Sequence, residues 1–177
     1  MTAKTALIIV DVQPVFMNDP KMLTVDGDDL VRKCKSLLDR ARDLGIPIVH
    51  IQHVDKDDMP NGTRDQDMAI HPSLTPLADE PVIGKRFGSG FMETTLEATL
   101  ASTNARHLVV CGLSAYGCVN QTVLFAKLFG YQVTVVQDAI AAPDSEVWSV
   151  PDGIPIFLSN WEKGGILLES THEVLAA

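Results

Sequence analysis

Six short runs of apolar residues, each bounded by polar residues, glycine or proline, form the strongest pattern along the chain. Continuous apolar runs of this length are typical of strands that are buried on both faces of a parallel sheet. The predicted strands cover Ala6–Val10, Pro47–Gln52, Pro81–Gly84, His107–Gly112, Gln132–Asp138 and Gly165–Leu168. We therefore expect a sheet of six strands.

Apolar residues with helical spacing separate most of these strands. Helices are predicted from about Asp28 to Leu44 with Asp26 as the N-cap, from about Met92 to Thr103, from Cys118 toward Gly130, and after Ser170, which pairs with Glu173 in a capping-box pattern. Prolines and a glycine interrupt the segment 139–163, so no regular helix is predicted there. The alternation predicts one α/β domain over residues 1–177, with a mostly parallel, Rossmann-like sheet and helices on both faces.

The composition narrows the class of protein. The 177 residues are 46% hydrophobic and 21% charged, as in an ordinary folded domain. A net charge of −9 argues against nucleic acid or an anionic membrane as a partner, and the apolar run Ala6–Val10 is too short to span a bilayer. Three cysteines without a CxxC motif, and no signal peptide, predict a reducing, cytoplasmic location.

Three chemically reactive side chains follow the carboxyl ends of predicted strands: Asp11, Lys85 and Cys118. The carboxyl ends of parallel strands share one edge of the sheet, and ligands bind there where the winding reverses. We therefore expect the three side chains to converge on one cleft. Considered alone, each residue also has a non-catalytic interpretation. Asp11 could cap a turn, Lys85 could extend into solvent, and Cys118 could pack as a small apolar residue.

Together these groups suit the hydrolysis of an amide through a thioester. Cys118 would be the nucleophile, favoured as a thiolate by the positive end of the helix that begins there and by the Lys85 ammonium. Asp11 would take the thiol proton and later protonate the leaving amine. The backbone N–H groups of Ser114 and Cys118 would hold the tetrahedral oxyanion.

Three segments that contain these residues resemble the isochorismatase-like cysteine hydrolases. The segments are Leu7–Gln13 with Phe16, Gly84–Phe91 with Thr94 and Leu96, and Gly112–Val119 with Thr122 and the later Asp138–Ala139 pair. The resemblance extends over nearly the whole chain. It implies the fold of that family, a catalytic triad at Asp11, Lys85 and Cys118, a cis peptide bond at Leu113–Ser114, and a homo-oligomer that is a dimer or larger.

Two features depart from the family pattern. Ala115 stands where the family usually has threonine, so one hydroxyl group that supports the turn before the cysteine is missing. The segment 139–163, which contains Trp148 and Trp161, does not show the regular helix usual in the family. Both departures bear on the shape of the pocket and on the substrate more than on the chemistry.

A metal-dependent amidase is one alternative, because nicotinamidases of this family bind a divalent metal through an Asp-x-His pair and further histidines. In this chain His50 and His53 lie three apart on a strand, so they point to opposite faces and cannot share a metal. His53, Asp55 and His71 could do so, but the family's order of aspartate and histidine is reversed. We predict no metal site and no cofactor, with His53 lining the pocket or packing beside it.

The sequence leaves the small-molecule substrate open. The residues expected to contact it are Gln13, Phe16, His53, Phe87, Phe91 and Tyr116. Two further alternatives are hydrolysis of a vinyl ether, which isochorismatases perform without the cysteine, and a non-catalytic small-molecule-binding oligomer on the same fold. The long loop at residues 53–80 and the segment 139–163 are candidates for surfaces between subunits.

Overall fold

A six-stranded sheet organises the computed structural model, which describes residues 4–18, 24–57, 59–144 and 149–176. The strands are β1 (Lys4–Val10), β2 (Ile48–His53), β3 (Val82–Lys85), β4 (Ala105–Leu113), β5 (Gln132–Ala141) and β6 (Leu167–Glu169). The helices are α1 (Val15–Asn18), α2 (Gly27–Asp43), α3 (Asp65–Met68), α4 (Leu96–Thr103), α5 (Cys118–Leu128) and α6 (Val150–Lys163), with a 3-10 turn at Pro72–Leu74. Within the four described ranges, no helix combines the length and the apolar character needed to cross a bilayer.

All neighbouring strands are parallel, and their order across the sheet is β3-β2-β1-β4-β5-β6. The chain winds outward in one direction from β1 to β3, and then in the other direction from β4 to β6. The winding therefore reverses between β1 and β4, which is where parallel α/β sheets open a crevice for ligands. The predicted α/β class, the six strands and their parallel arrangement are confirmed.

Alternate residues of each central strand feed two separate apolar cores, one on each face of the sheet. On β1, Ile8 and Val10 point to the face that α4, α5 and α6 cover, whereas Leu7 and Ile9 point to the face that α2 covers. Cys34 on α2 lies fully buried in the second core, as predicted for a packing residue. Helices on both faces leave the carboxyl edge of the sheet as the natural place for a site.

The segment before β6 contains a helix that the sequence analysis missed. α6 runs over fourteen residues despite its two prolines. Pro151 stands in the first turn, where the missing N–H costs nothing, while Pro155 removes one hydrogen bond. Packing against the core offsets that loss along one helical face, formed by Val150, Ile154, Phe157, Leu158 and Trp161. The expectation of an irregular segment is therefore wrong for residues 150–163, whereas Trp148 lies outside the described residues.

The structure also differs from two predictions about helix ends: the N-cap at Asp26 and the short helix after Ser170. Asp26 has a left-handed backbone with φ 55° and makes no side-chain cap, so α2 begins at Gly27 without one. Glu173 accepts hydrogen bonds from the backbone N–H and the hydroxyl of Ser170, as in a capping box. No helix follows, because the left-handed backbone of Leu175 (φ 58°) ends the helical path after one turn.

Several large apolar side chains lie exposed on α5 and at its C-terminal end. Leu124, Leu128 and Phe129 are exposed, and Leu128 keeps 77% of its surface. The opposite face of the same helix, including Val119 and Val123, is buried against the sheet. Leu124 and Leu128 on α5, with Phe129 directly after it, form an exposed apolar surface that we call the α5 patch.

Candidate active site

Asp11, Lys85 and Cys118 meet at the carboxyl edge of the sheet. The Lys85 ammonium nitrogen lies 2.6 Å from Asp11 Oδ2 and 3.1 Å from Cys118 Sγ. Asp11 directly follows β1, Lys85 is the last residue of β3, and Cys118 is the first residue of α5. Asp11 and Lys85 are buried, whereas Cys118 is partly exposed. One buried cation therefore contacts both a carboxylate and a thiol.

A close approach of two strand ends positions Asp11. Val10 on β1 pairs with Gly112 on β4, where Gly112 has φ +117°. A Cβ atom at position 112 would lie 2.1 Å from the carbonyl oxygen of Val10, which no side chain can tolerate. Asp11 itself has a left-handed backbone with φ 50°, and its N–H donates to the carbonyl of Ile51 (3.0 Å). Glycine at position 112 is thus required for the strand ends to hold Asp11 where it lies.

The segment after β3 is fixed against α5, which holds Lys85 in place. The N–H of Gly90 donates to the hydroxyl of Thr122 on α5 (2.9 Å). Gly88 lies so near Gln121 that a Cβ atom would approach its amide to 2.3 Å. The hydrogen bond from Gly90 to Thr122 therefore ties this segment to α5, and that contact supports the end of β3 from which the lysine extends.

The turn from Leu113 to Cys118 contains a cis peptide bond between Leu113 and Ser114. The Ser114 carbonyl accepts hydrogen bonds from the N–H groups of Gly117 (3.0 Å) and Val119 (3.1 Å), and the N–H of Ala115 donates to Ala141 (2.8 Å). Among the described residues, none accepts a backbone hydrogen bond of this turn from the N–H groups of Ser114 or Cys118. The Ala115 methyl group is fully buried in the core, and the backbone bond to Ala141 supports this part of the turn.

The charges of the three groups are strongly coupled. Burial raises the pKa of Asp11, and the ammonium of Lys85 only partly counters it. Burial also works against the charge of Lys85, but Asp11 and Cys118 outweigh it and hold the lysine pKa above its ordinary value. Burial, followed by the Asp11 carboxylate, raises the pKa of Cys118 to about 12. The expected bias toward a resting thiolate is therefore wrong, because burial and Asp11 outweigh Lys85 and the cysteine holds its proton.

A cavity of about 310 Å³ opens above the cysteine. Of the predicted site residues, five line it: Asp11, Phe16, His53, Ser114 and Cys118. The remaining lining residues escaped the sequence analysis, and they are Thr24, Met59, Leu113, Gly117 and Pro143. Leu113 and Gly117 flank the predicted turn and could have been inferred, whereas Thr24, Met59 and Pro143 come from irregular loops that carry no periodic signal.

Four residues that were predicted to contact the substrate lie away from this cavity. Gln13 is buried and holds the backbone together, since its amide pairs with the N–H and carbonyl of His53 and with the carbonyl of Met68. The Phe91 ring packs in the core, 5.3 Å from that of Phe129. Phe87 points to the surface.

Tyr116 is the fourth of these residues, and it joins the turn to α6. Its ring lies 5.3 Å from that of Phe157, and its hydroxyl donates to the carbonyl of Ser149 (3.4 Å). Gly153 provides the room for this contact, because a Cβ atom there would lie 2.7 Å from the tyrosine hydroxyl. Tyr116 therefore supports the wall behind the site instead of lining the cavity.

The histidines considered as metal ligands are dispersed. His50 is fully buried beside Glu80 (3.4 Å), and the bidentate contact of Arg42 with Glu80 lowers the carboxyl pKa to about 2. Nε2 of His53 pairs with the carbonyl of Asp55 (3.0 Å), while His71 accepts the N–H of Ser73. Across the described ranges, no three histidine, cysteine, aspartate or glutamate side chains cluster as metal ligands do.

Comparisons with curated proteins give several relatives. The chain is 30% identical to an uncharacterized isochorismatase family protein, YddQ, of Bacillus subtilis, over 81% of each chain. It is 30% identical to streptothricin hydrolase of Streptomyces noursei, over 88% of this chain but only 62% of that protein. It is 26% identical to ureidoacrylate amidohydrolase RutB of Yersinia enterocolitica, over 81% of this chain and 78% of the relative. Its relatives thus include hydrolases and an amidohydrolase.

A solved structure and a family model agree with these relatives. A crystal structure of a cysteine hydrolase from Pseudomonas syringae superposes with a TM-score of 0.89, at 25% identity, over 97% of this chain and 91% of that one. The family model of the isochorismatase domain matches residues 5–150. Since this match spans most of the chain, and a relative at 30% identity is named as a member of the same family, the protein belongs to the isochorismatase family of hydrolases.

Proposed function

We propose that the protein hydrolyses a C–N bond of a small amide through a thioester on Cys118. One observation carries the proposal: the Lys85 ammonium lies within 3.1 Å of both Asp11 and Cys118, beneath a cavity large enough for a small molecule. A nucleophile, a proton acceptor and a fixed positive charge are thereby available at one point. The streptothricin hydrolase and amidohydrolase relatives support this class of reaction.

The first step couples attack to proton transfer. Because the thiol of Cys118 holds its proton at neutral pH, sulfur can attack the carbonyl carbon only as the proton passes to a base. Asp11 is the base in reach of this centre, and burial has already raised its pKa, which makes protonation less costly. Lys85 remains charged and stabilises whichever of the two partners is negative at each stage.

Backbone groups complete the path to the product. The N–H groups of Ser114 and Cys118 are unused by the hydrogen bonds of the turn, so they can donate to the oxyanion of the tetrahedral intermediate. When that intermediate collapses, the C–N bond breaks and protonated Asp11 gives its proton to the leaving amine. Asp11 then deprotonates a water molecule, which attacks the thioester, and the carboxylic acid leaves with the thiol restored.

Replacement of the nucleophile tests this proposal. Cys118→Ala should abolish release of ammonia from a panel of simple primary amides, because Cys118 is the cysteine among the described residues that line the cavity. Cys34→Ala is the matched control, since Cys34 is buried in the core away from the cavity, and it should retain activity. Chelation should leave the rate unchanged. Near-native turnover by Cys118→Ala, or activity that a divalent metal restores after chelation, would contradict the mechanism.

The roles of Asp11 and Lys85 predict opposite effects on the thiol. Asp11→Asn removes a negative charge that raises the Cys118 pKa, so iodoacetamide should alkylate Cys118 several-fold faster at pH 8. The same variant should lose about 10²–10⁴-fold in ammonia release, because the proton acceptor is gone. Lys85→Met should slow alkylation, since it removes the charge that lowers this pKa. Mass spectrometry of the Cys118 peptide between pH 7 and about 11 measures both rates.

Alkylation that falls together with turnover in Asp11→Asn would contradict the proposed roles. It would mean that Asp11 serves to form the thiolate in the resting enzyme. Thermal unfolding of each variant controls for misfolding, because either substitution leaves a buried charged group without its partner.

We further propose that a second copy of the chain covers the α5 patch of Leu124, Leu128 and Phe129. The patch is apolar, whereas the chain as a whole carries a net charge of −9, so contact between copies is most favourable at an uncharged surface. Light scattering at micromolar concentration should give at least twice the mass of one chain. Leu128→Glu should shift the mass toward one chain, whereas Leu77→Glu, an exposed leucine outside the patch, should not. A monomeric wild-type protein would contradict this proposal.

A further inference from the structure

We infer that the site accepts compact, uncharged amides with an apolar acyl group and rejects those that carry a carboxylate. The inference rests on the proposed function, because it specifies the substrate of the same cavity. It depends on three observations: the apolar walls of the cavity, its size, and the distribution of charge around it.

Four of the residues that line the cavity have apolar side chains. Phe16, Met59, Leu113 and Pro143 line the cavity, and the Phe16 ring meets the His53 ring edge-on at 6.3 Å. These side chains offer contact area to an acyl group but no charge to a polar one. An aliphatic or aromatic acyl group therefore binds with the most favourable free energy, because its apolar surface is transferred from water to the apolar side chains of the cavity.

The cavity is small and partly open to solvent. Its volume of about 310 Å³ is enough for a primary amide with a short aliphatic or a single-ring acyl group. A peptide or a nucleotide would leave most of its atoms outside the cavity.

The charge around the cavity opposes an anion. Asp11 is a buried carboxylate on the cavity wall, and its cation, Lys85, is already shared with Cys118. No arginine or lysine is among the described residues that line the cavity. Lys56, three positions before Met59, forms an ion pair with Asp65 at the surface. In the proposed mechanism the N–H groups of Ser114 and Cys118 face the oxygen of the reacting carbonyl, so they are not available to a second anionic group. A substrate carboxylate would enter without a described lysine or arginine partner and would meet the like charge of Asp11, so its binding is penalised.

The test uses two alkylating reagents of similar size that differ in charge, and it does not require turnover. Iodoacetamide is neutral and iodoacetate is anionic. The ratio of the iodoacetate rate to the iodoacetamide rate, measured on the Cys118 peptide, should be at least about tenfold lower in the native protein than in the denatured one. An equal or higher ratio in the native protein would overturn the inference.

A pair of variants tests whether the charge of the wall is the cause. Met59→Lys places a cation on the apolar wall and should raise the iodoacetate ratio several-fold. Met59→Gln has a similar length without the charge, and it should leave the ratio near that of the wild type. An equal effect of both substitutions would show that shape, not charge, sets the discrimination, and it would overturn the argument from charge.

Turnover then separates this inference from the proposed function. Adipamide and adipamic acid have similar shapes, and only the acid carries a carboxylate; hexanamide has an apolar end instead. The expected order of kcat/KM for ammonia release is hexanamide, adipamide and adipamic acid, with the acid at least about tenfold below adipamide. Ammonia release that favours adipamic acid would overturn the inference alone. Rejection of iodoacetate without turnover of any amide would overturn the proposed function alone.

Discussion

The arrangement of the site depends on one buried cation. Lys85 has almost no exposed surface, and an ammonium group in such a place is costly, by several kcal/mol, unless it is paired. Asp11 at 2.6 Å supplies the opposite charge, and the thiol of Cys118 at 3.1 Å supplies a further polar contact. The contacts that stabilise the buried ammonium group of Lys85 also bring the carboxylate and the thiol together. Stability of the buried charge and assembly of the reactive groups are therefore one constraint.

The sheet order makes this meeting possible. β1 and β4 are neighbours at the reversal of winding, so Asp11 and the turn that leads to Cys118 leave the sheet side by side. β3 lies two strands from β1, and the long side chain of Lys85 spans that distance beneath the cavity. Gly112 permits the close contact of β1 with β4, and the hydrogen bond from Gly90 to Thr122 holds the lysine segment against α5. The reactive groups thus come from separate elements that short-range contacts hold together.

Much of this architecture could be predicted from sequence, and the failures have physical causes. Buried parallel strands leave continuous apolar runs, and reactive residues at their carboxyl ends must share an edge, so the sheet and the meeting of Asp11, Lys85 and Cys118 were accessible. Local pattern cannot tell how a side chain is used once it is buried. Gln13 pairs with backbone and Phe91 packs in the core, although both stand beside strand ends. α6 was not predicted because its two prolines disfavour a helix, and the packing of its apolar face against the core, which offsets them, is not visible in the local sequence.

If Cys118 carries the acyl group during hydrolysis, as we propose, a covalent thioester must form on its sulfur. Acid-quenched mixtures of the protein with an amide that it hydrolyses can be followed by mass spectrometry of the intact chain and its peptides. We expect a transient mass increase equal to that of the acyl group, located on the peptide that contains Cys118 and discharged by hydroxylamine. Hydrolysis that proceeds under single-turnover conditions with no acyl group on Cys118 at any quench time would contradict it.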